Sequence, residues 1–374
     1  MLDLRNYAVV TAAYWGFTLT DGALRMLVLL HFHTLGYSPL ELAFLFLLYE
    51  FFGVVTNLLA GWIGSQFGLK LTLYCGLGLQ VAALCMLSLL DPTWEKFAAV
   101  AFVVAAQGLS GIAKDLTKMS SKSAIKLVVP DDAHSTLFKW VALLTGSKNA
   151  LKGIGFFLGA ALLAGLGFVH ALWAMAAGLV IILVAAVTLL PGDMGKVKTK
   201  VKFTKILSKS RAINLLSAAR FFLFGARDVW FVVGVPIFLY EVIGWSFMEV
   251  GSFMAAWVIG YGGVQALAPK FVRRSVDGQS SETRAAQWWA FVLAALPVAI
   301  AALVEAGAAP AVSVVGGLAL FGIVFAINSS VHSYLILSFS DSDKVALNVG
   351  FYYMANAGGR LVGCLFSGLS YQMW

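Results

Sequence analysis

The chain has 374 residues, of which 60% are apolar and 12% charged, with a formal net charge of +8 and a mean hydropathy of +0.88. A water-soluble domain carries about 25% charged and about 45–50% apolar residues, so the composition places this chain in a lipid bilayer and excludes an enzyme with a soluble active site. Cys75, Cys85 and Cys364 stand far apart inside apolar runs, without the spacing of zinc or disulfide frameworks, and read as small core residues. No metal or cofactor is expected.

Apolar windows of about 20 residues predict spans at 7–34, 40–64, 71–90, 96–119, 134–166, 169–190, 212–240, 247–270, 285–305, 311–337 and 345–372. The first of these is a retained helix rather than a secretory signal, because it runs far beyond a signal's apolar core and holds Asp21 and Arg25. With the N-terminus in the cytoplasm, Lys70, the Lys118 to Lys139 group, the Lys196 to Arg211 run, Lys270, Arg273, Arg274, Arg284 and Lys344 all fall inside, and only Lys96 falls outside. This positive-inside asymmetry predicts a multi-pass protein of the inner (plasma) membrane with a cytoplasmic N-terminus. It also accounts for the basic excess without nucleic acid.

The longest polar interruption, PGDMGKVKTKVKFTKILSKS, lies at 191–210. It divides the chain into a six-helix bundle at 1–190, a basic cytoplasmic linker at 191–210 and a five-helix bundle at 211–374. The halves are weakly alike at an offset of 208: GYSPLEL at 36–42 against GWSFMEV at 244–250, Asn6 with Asn214, Asn57 with Gln265, and Lys152 with Arg360. Parallel six-helix halves joined by a basic loop are the plan of the major facilitator superfamily, which the chain resembles. GWIGSQFGLK at 61–70 is similar to that superfamily's helix 2–3 signature, with Ser65 where an acid is usual and Leu69 where Arg is common. The expected fold is all-α and integral to the membrane, with two pseudo-symmetric bundles and eleven spans, one short of the usual twelve.

Charges inside spans are the informative residues. A central cation costs about 2.5–3.5 kcal/mol, so Arg25, Lys148, Lys152, Arg220, Arg227 and Arg360 together cost on the order of 15–20 kcal/mol if unpaired. The acids counted at similar depth, Asp21, Glu50 and Asp228, are fewer, and a positive excess suits an anionic substrate. Helical spacing sorts these residues into stripes: Tyr14, Thr18, Asp21 and Arg25; Gln107, Gly111, Lys114 and Lys118; Thr145, Lys148, Lys152, Gly155 and Gly159; Arg220 with Arg227; and Asn348, Tyr352, Asn356 and Arg360. The stripes are expected to converge on a midplane cavity, with Lys114, Lys118 and Arg220 as candidates for an access path. Blander readings stand beside these. Asp21 with Arg25 is an i,i+4 pair that can neutralise itself, Arg220 can snorkel to the inner interface, and Lys122 and Lys126 read as solvated cytoplasmic charges. Asn57 reads as interhelical glue and Glu50 as glue or a proton site. Of the histidines only His332 merits a functional test.

Five strings carry a narrower resemblance: AYWGFTLTDGALRMLVLLHFH at 13–33, GYSP at 36–39 with YEFFG at 49–53, KDLTKMSSKS at 114–123 and GSKNALKG at 146–153. They resemble the organoarsenical exporter branch of the superfamily. That resemblance implies export of 1-arseno-3-phosphoglycerate, the product formed when glyceraldehyde-3-phosphate dehydrogenase uses arsenate in place of phosphate, and hence arsenate resistance. By similarity to the superfamily's organophosphate exchangers, Arg25 and Arg227 would clamp the phosphate. Lys148, Lys152 and Arg360 would then take the second anionic end, with Tyr14, Tyr352 and Asn356 as neutral partners. Proton antiport through Asp21, Glu50 or Asp228 is one expected driving force; the membrane potential is the other. The alternatives are an organophosphate or other organic-anion exchanger, a drug exporter, and a truncated membrane protein that transports nothing. Arsenite export is disfavoured because trivalent arsenic prefers thiolates.

Overall fold

The computed structural model describes residues 2–37, 41, 44–129, 133–190, 210–235, 238–245, 247–272, 275–341 and 344–373. The expected linker lies outside these apart from Ser210, as do Ser38, Pro39, Arg273 and Arg274. Each expected span has its helix: α1 (Leu2–Thr34), α2 (Leu47–Phe67), α3 (Leu69–Ser88), α4 (Lys96–Val128), α5 and α6 as the limbs 134–166 and 168–189 of His134–Leu189, α7 (Arg211–Val229), α8 (Phe247–Leu267), α9 (Ser280–Glu305), α10 (Pro310–Ser338) and α11 (Val345–Met373). No strand occurs among the described residues.

The breaks between helices have local causes. Gly68 (φ +88°) turns the chain from α2 into α3, and Gly167 (φ +74°) separates α5 from α6, both in the left-handed region open to glycine. Ser210 caps α7 by accepting from the Ile213 amide at 3.3 Å. Lys70 Nζ, 2.6 Å from the Leu190 carbonyl, supplies positive charge just beyond the C-terminus of α6.

Two boundaries differ most from expectation. The fourth helix runs on to Val128 rather than stopping at 119, which carries its basic inner end into the protein. The seventh ends its regular ladder at Val229 and continues as π-helical turns at Trp230–Gly234 and Phe238–Val242. Pro236, which has no N–H to donate, falls between those turns in the chain.

Packing brings the polar stripes together. The helix α1 lies along α5, where Gly22 stands against the Lys152 carbonyl and Gly155 against the Leu19 carbonyl. In the second half α7 lies along α11 in the same way, Gly359 against the Phe221 carbonyl and Gly363 against that of Gly225. Small residues at these crossings let the backbones approach closely. The halves meet through α2 on α11 and α5 on α8, the latter where Gly146 and Gly262 face each other's carbonyls.

The end of the bundle holding the N-terminus is packed shut. Every residue from Asp115 to Ile125 in α4 and from Val324 to Leu337 in α10 is buried. Phe138 stacks on Tyr334 with ring centres 4.7 Å apart, and the Tyr334 hydroxyl donates to the Gly278 carbonyl at 2.7 Å.

Candidate functional site

Six helices contribute to one charged cluster. Glu50 of α2 is its hub: Oε1 accepts from Arg360 Nη2 of α11 at 2.6 Å and from Arg25 Nη2 of α1 at 3.2 Å, while Oε2 lies 3.9 Å from Lys114 Nζ of α4. From Arg360 the chain of charges continues through Nε to Asp228 Oδ2 of α7 at 3.1 Å, and Asp228 Oδ1 accepts from Arg227 Nε at 2.6 Å. Lys114 Nζ is also 3.9 Å from Asp115 Oδ2, and Asp115 Oδ1 accepts from Lys118. On the other side of Glu50, Asp21 of α1 pairs with Lys152 Nζ of α5 at 3.2 Å and accepts from the Tyr49 hydroxyl at 2.5 Å.

Aromatic faces hold the cations in place. Lys114 Nζ sits 3.7 Å from the Tyr49 ring centre, and the Arg25 guanidinium lies 4.9 Å from the same centre. Arg227 lies 4.6 Å from that of Phe224 and Lys118 4.4 Å from that of Tyr353. Each contact adds attraction to that of the ion pairs.

The two signs of charge are sorted by depth. The side chains of Asp21, Glu50, Asp115 and Asp228 are 1–8% exposed, whereas those of Arg25, Lys114, Lys118, Lys152, Arg227 and Arg360 keep 11–29%. The carboxylates are thus the more deeply buried members, and what the cluster leaves exposed belongs to its cationic side chains. Lys148 adds to it: no carboxylate lies within 4 Å among the described residues, and the charges acting on it are Lys152, Lys118, Lys122 and Arg360.

The residues named from the sequence therefore divide. Arg25, Lys114, Lys118, Lys152, Arg227, Arg360, Asp21, Glu50 and Asp228 join the cluster, with Lys148 beside it. Tyr14 is buried nearby with a hydroxyl that makes no hydrogen bond. Tyr352 and Asn356 group instead with Arg220, whose Nε donates to Asn356 Oδ1 at 2.8 Å and whose guanidinium lies 5.2 Å from the Tyr352 ring centre. Arg220 does not snorkel; it is 3% exposed and donates to the Ser329 carbonyl and hydroxyl. The i,i+4 reading of Asp21 and Arg25 gives way to partners on other helices, Lys152 and Glu50. Lys122 is not solvated as expected but buried, donating to the Thr145 hydroxyl, because α4 continues beyond it; the side chain of Lys126 lies outside the described residues.

Asp115 and Tyr49 were not singled out from the sequence. Asp115 had a legible signal, its i,i+3 spacing to Lys118. Tyr49 adjoins Glu50 in the chain, and only the fold shows it bridging Asp21 and two cations.

Paired helical halves, buried charge on facing helices and a central positive surface define a membrane transporter. The chain matches the Major Facilitator Superfamily over residues 8–364, and it belongs to that family. Solved structures with the same fold include the human organic anion transporter MFSD10 (TETRAN), at 16% identity and TM-score 0.71, covering 97% of this chain and 92% of that one. A bacterial homologue of the iron transporter ferroportin in an outward-facing state has 14% identity and TM-score 0.74, covering 100% and 93%. The proton:xylose symporter XylE bound to 6-bromo-6-deoxy-D-glucose has 14% identity and TM-score 0.74, covering 100% and 90%. No curated protein matches the chain.

Proposed function

We propose that this transporter exports an anionic organoarsenical, 1-arseno-3-phosphoglycerate, by alternating access, and thereby confers arsenate resistance. The observation that carries an anionic cargo is the sorting of charge by depth, the cationic side chains being more exposed than the carboxylates they meet. Guanidinium forks at Arg25, Arg227 and Arg360 suit bidentate contacts to a phosphate or arsenate ester, and Lys148 and Lys152 add point charges. The choice of organoarsenical rests on the resemblance of the five strings at 13–33, 36–39, 49–53, 114–123 and 146–153.

The packed end lies on the cytoplasmic side when the N-terminus is cytoplasmic, which also puts Lys70, Arg211, Lys270, Arg284 and Lys344 inside. The state described is then closed inward. Rocking of the halves requires Glu50 to part from Arg360, and an anion between them replaces the contacts that Arg360 loses. Export of a polyanion down an inside-negative potential gains about 2.3 kcal/mol per charge per 100 mV. Protonation of Asp21, Glu50 or Asp228 from outside would free the neighbouring cation and add proton antiport.

Everted membrane vesicles supplied with arsenate, glyceraldehyde 3-phosphate and NAD test this reading. Arsenic accumulation that requires added glyceraldehyde-3-phosphate dehydrogenase supports it, and accumulation that is absent or indifferent to the dehydrogenase contradicts it. Uptake of 3-phosphoglycerate in exchange for phosphate, without arsenic movement, would indicate an organophosphate exchanger.

A further inference from the structure

Within the packed end, beyond the charged cluster, lies a second polar group that the transport reading does not use. Lys122 of α4 is one helical turn beyond Lys118, and Arg220 of α7 is two turns before Arg227. Both are 3% exposed, and neither has a carboxylate within 4 Å among the described residues. Their partners are neutral oxygens: the Thr145 hydroxyl for Lys122, and Asn356 Oδ1 with the Ser329 carbonyl and hydroxyl for Arg220. Arg220 acts electrostatically on both Lys122 and His332. Two further side chains stand unsatisfied there. Asn328, fully buried, has neither amide atom hydrogen-bonded, and His332, 4% exposed, has no partner for Nδ1.

The contrast with the central cluster is chemical. Every central cation except Lys148 meets a carboxylate, whereas this group gathers buried positive charge and orphaned donors with no anion. Unpaired buried charge and unmade hydrogen bonds each destabilise the packed state, and an orphaned buried polar group needs an explanation. In a protein that alternates its access, the explanation is the other state, in which this end opens.

We infer that Lys122, Arg220, Asn328 and His332 form a second oxyanion site, shut in the packed state and holding the phosphate or arsenate end of the cargo when the N-terminal end opens. It rests on the anion-transport reading and refines it into a relay. The cargo's oxyanion is first taken by the guanidinium fork and ammonium of the inner site, with the amide and imidazole as neutral donors, and then passed to Arg25, Arg227 and Arg360.

The test uses the full chain in proteoliposomes of defined orientation, with radiolabelled 3-phosphoglycerate as probe. KM is measured separately from the N-terminal face and from the opposite face. The double variant K122Q/R220Q is expected to raise KM at the N-terminal face by at least about tenfold, the loss of one charge-assisted hydrogen bond, and to change it less than about twofold at the other. The charge-retaining K122R is expected to stay within about threefold of wild type at both faces. Should K122Q/R220Q fail to give monodisperse protein, N328A, which removes no charge, carries the same face-selective expectation at about threefold. An equal rise at both faces, or no rise at either, overturns the second site while the transporter reading stands. A wild type that moves no organic anion from either face overturns both.

Discussion

Lys152 and Arg360 stand 208 residues apart at matching places in the two halves, and each reaches an aspartate on the helix packed beside its own. Gly155 and Gly363, at the same offset and one turn further on, press against the backbones of α1 and α7. The difference is the head group. The Lys152 ammonium meets Asp21 alone at 3.2 Å, and the pair is closed off by the Tyr49 hydroxyl. The Arg360 fork meets Asp228 with Nε and Glu50 with Nη2, so it ties the second half to the first. One half thus holds an internal pair and the other a cross-link, and only the cross-link must break when the halves rock.

Removing the hub tests that difference most severely. Glu50→Gln leaves Arg25, Lys114 and Arg360 without their shared carboxylate; breaking buried pairs of this kind costs about 3–5 kcal/mol. Transport is expected to fall at least about 100-fold, with a lowered melting temperature in detergent. Exchanging the head groups separates the pairs. Arg360→Lys, which cannot hold two carboxylates at once, is expected to lose about tenfold in transport, and Lys152→Arg less than about threefold. Equal losses in the two variants would erase the distinction.

The glycines sharpen the symmetry rather than the difference. A methyl at Gly155 would stand 2.5 Å from the Leu19 carbonyl, and one at Gly363 2.5 Å from that of Gly225. Gly155→Ala and Gly363→Ala are each expected to destabilise by about 1–3 kcal/mol, read as matching drops in melting temperature. The smallest effect belongs to the connection before α9, outside the spans. There hydrogen bonds from the Ser280 hydroxyl and from the Ser280 and Gln279 amides hold the Asp277 carboxyl well below the usual carboxylate range. Its contribution is present above the unfolded carboxylate's pKa and is lost as pH falls through the lowered folded value. Asp277→Asn should therefore lower the melting temperature slightly at neutral pH, and the difference from wild type should vanish in strong acid.

Helical periodicity made much of this legible. The eleven spans and the break near Gly167 follow from apolar windows, and the faces carrying Asp21, Arg25, Lys152 and Arg360 follow from spacing, because a 3.6-residue repeat fixes the face on which a side chain lies. Spacing does not fix depth or partner. Lys122 reads as solvated until α4 is seen to run to Val128. Asn356 and Tyr352 share a stripe with Arg360 but lie one and two turns closer to the packed end, where Arg220 claims them. The position of Glu50 between three cations depends on how α2 meets α11, a contact between residues 310 apart that no local pattern encodes.

The most direct measurement is equilibrium binding of 3-phosphoglycerate to the purified chain, with glycerol as the uncharged comparison. The account predicts saturable binding of the phosphate ester that weakens with salt and is lost in a variant lacking two of the three guanidinium forks, Arg25→Gln with Arg360→Gln, while glycerol does not compete. Absence of binding, or equal competition by glycerol, would contradict a site built to hold an anion.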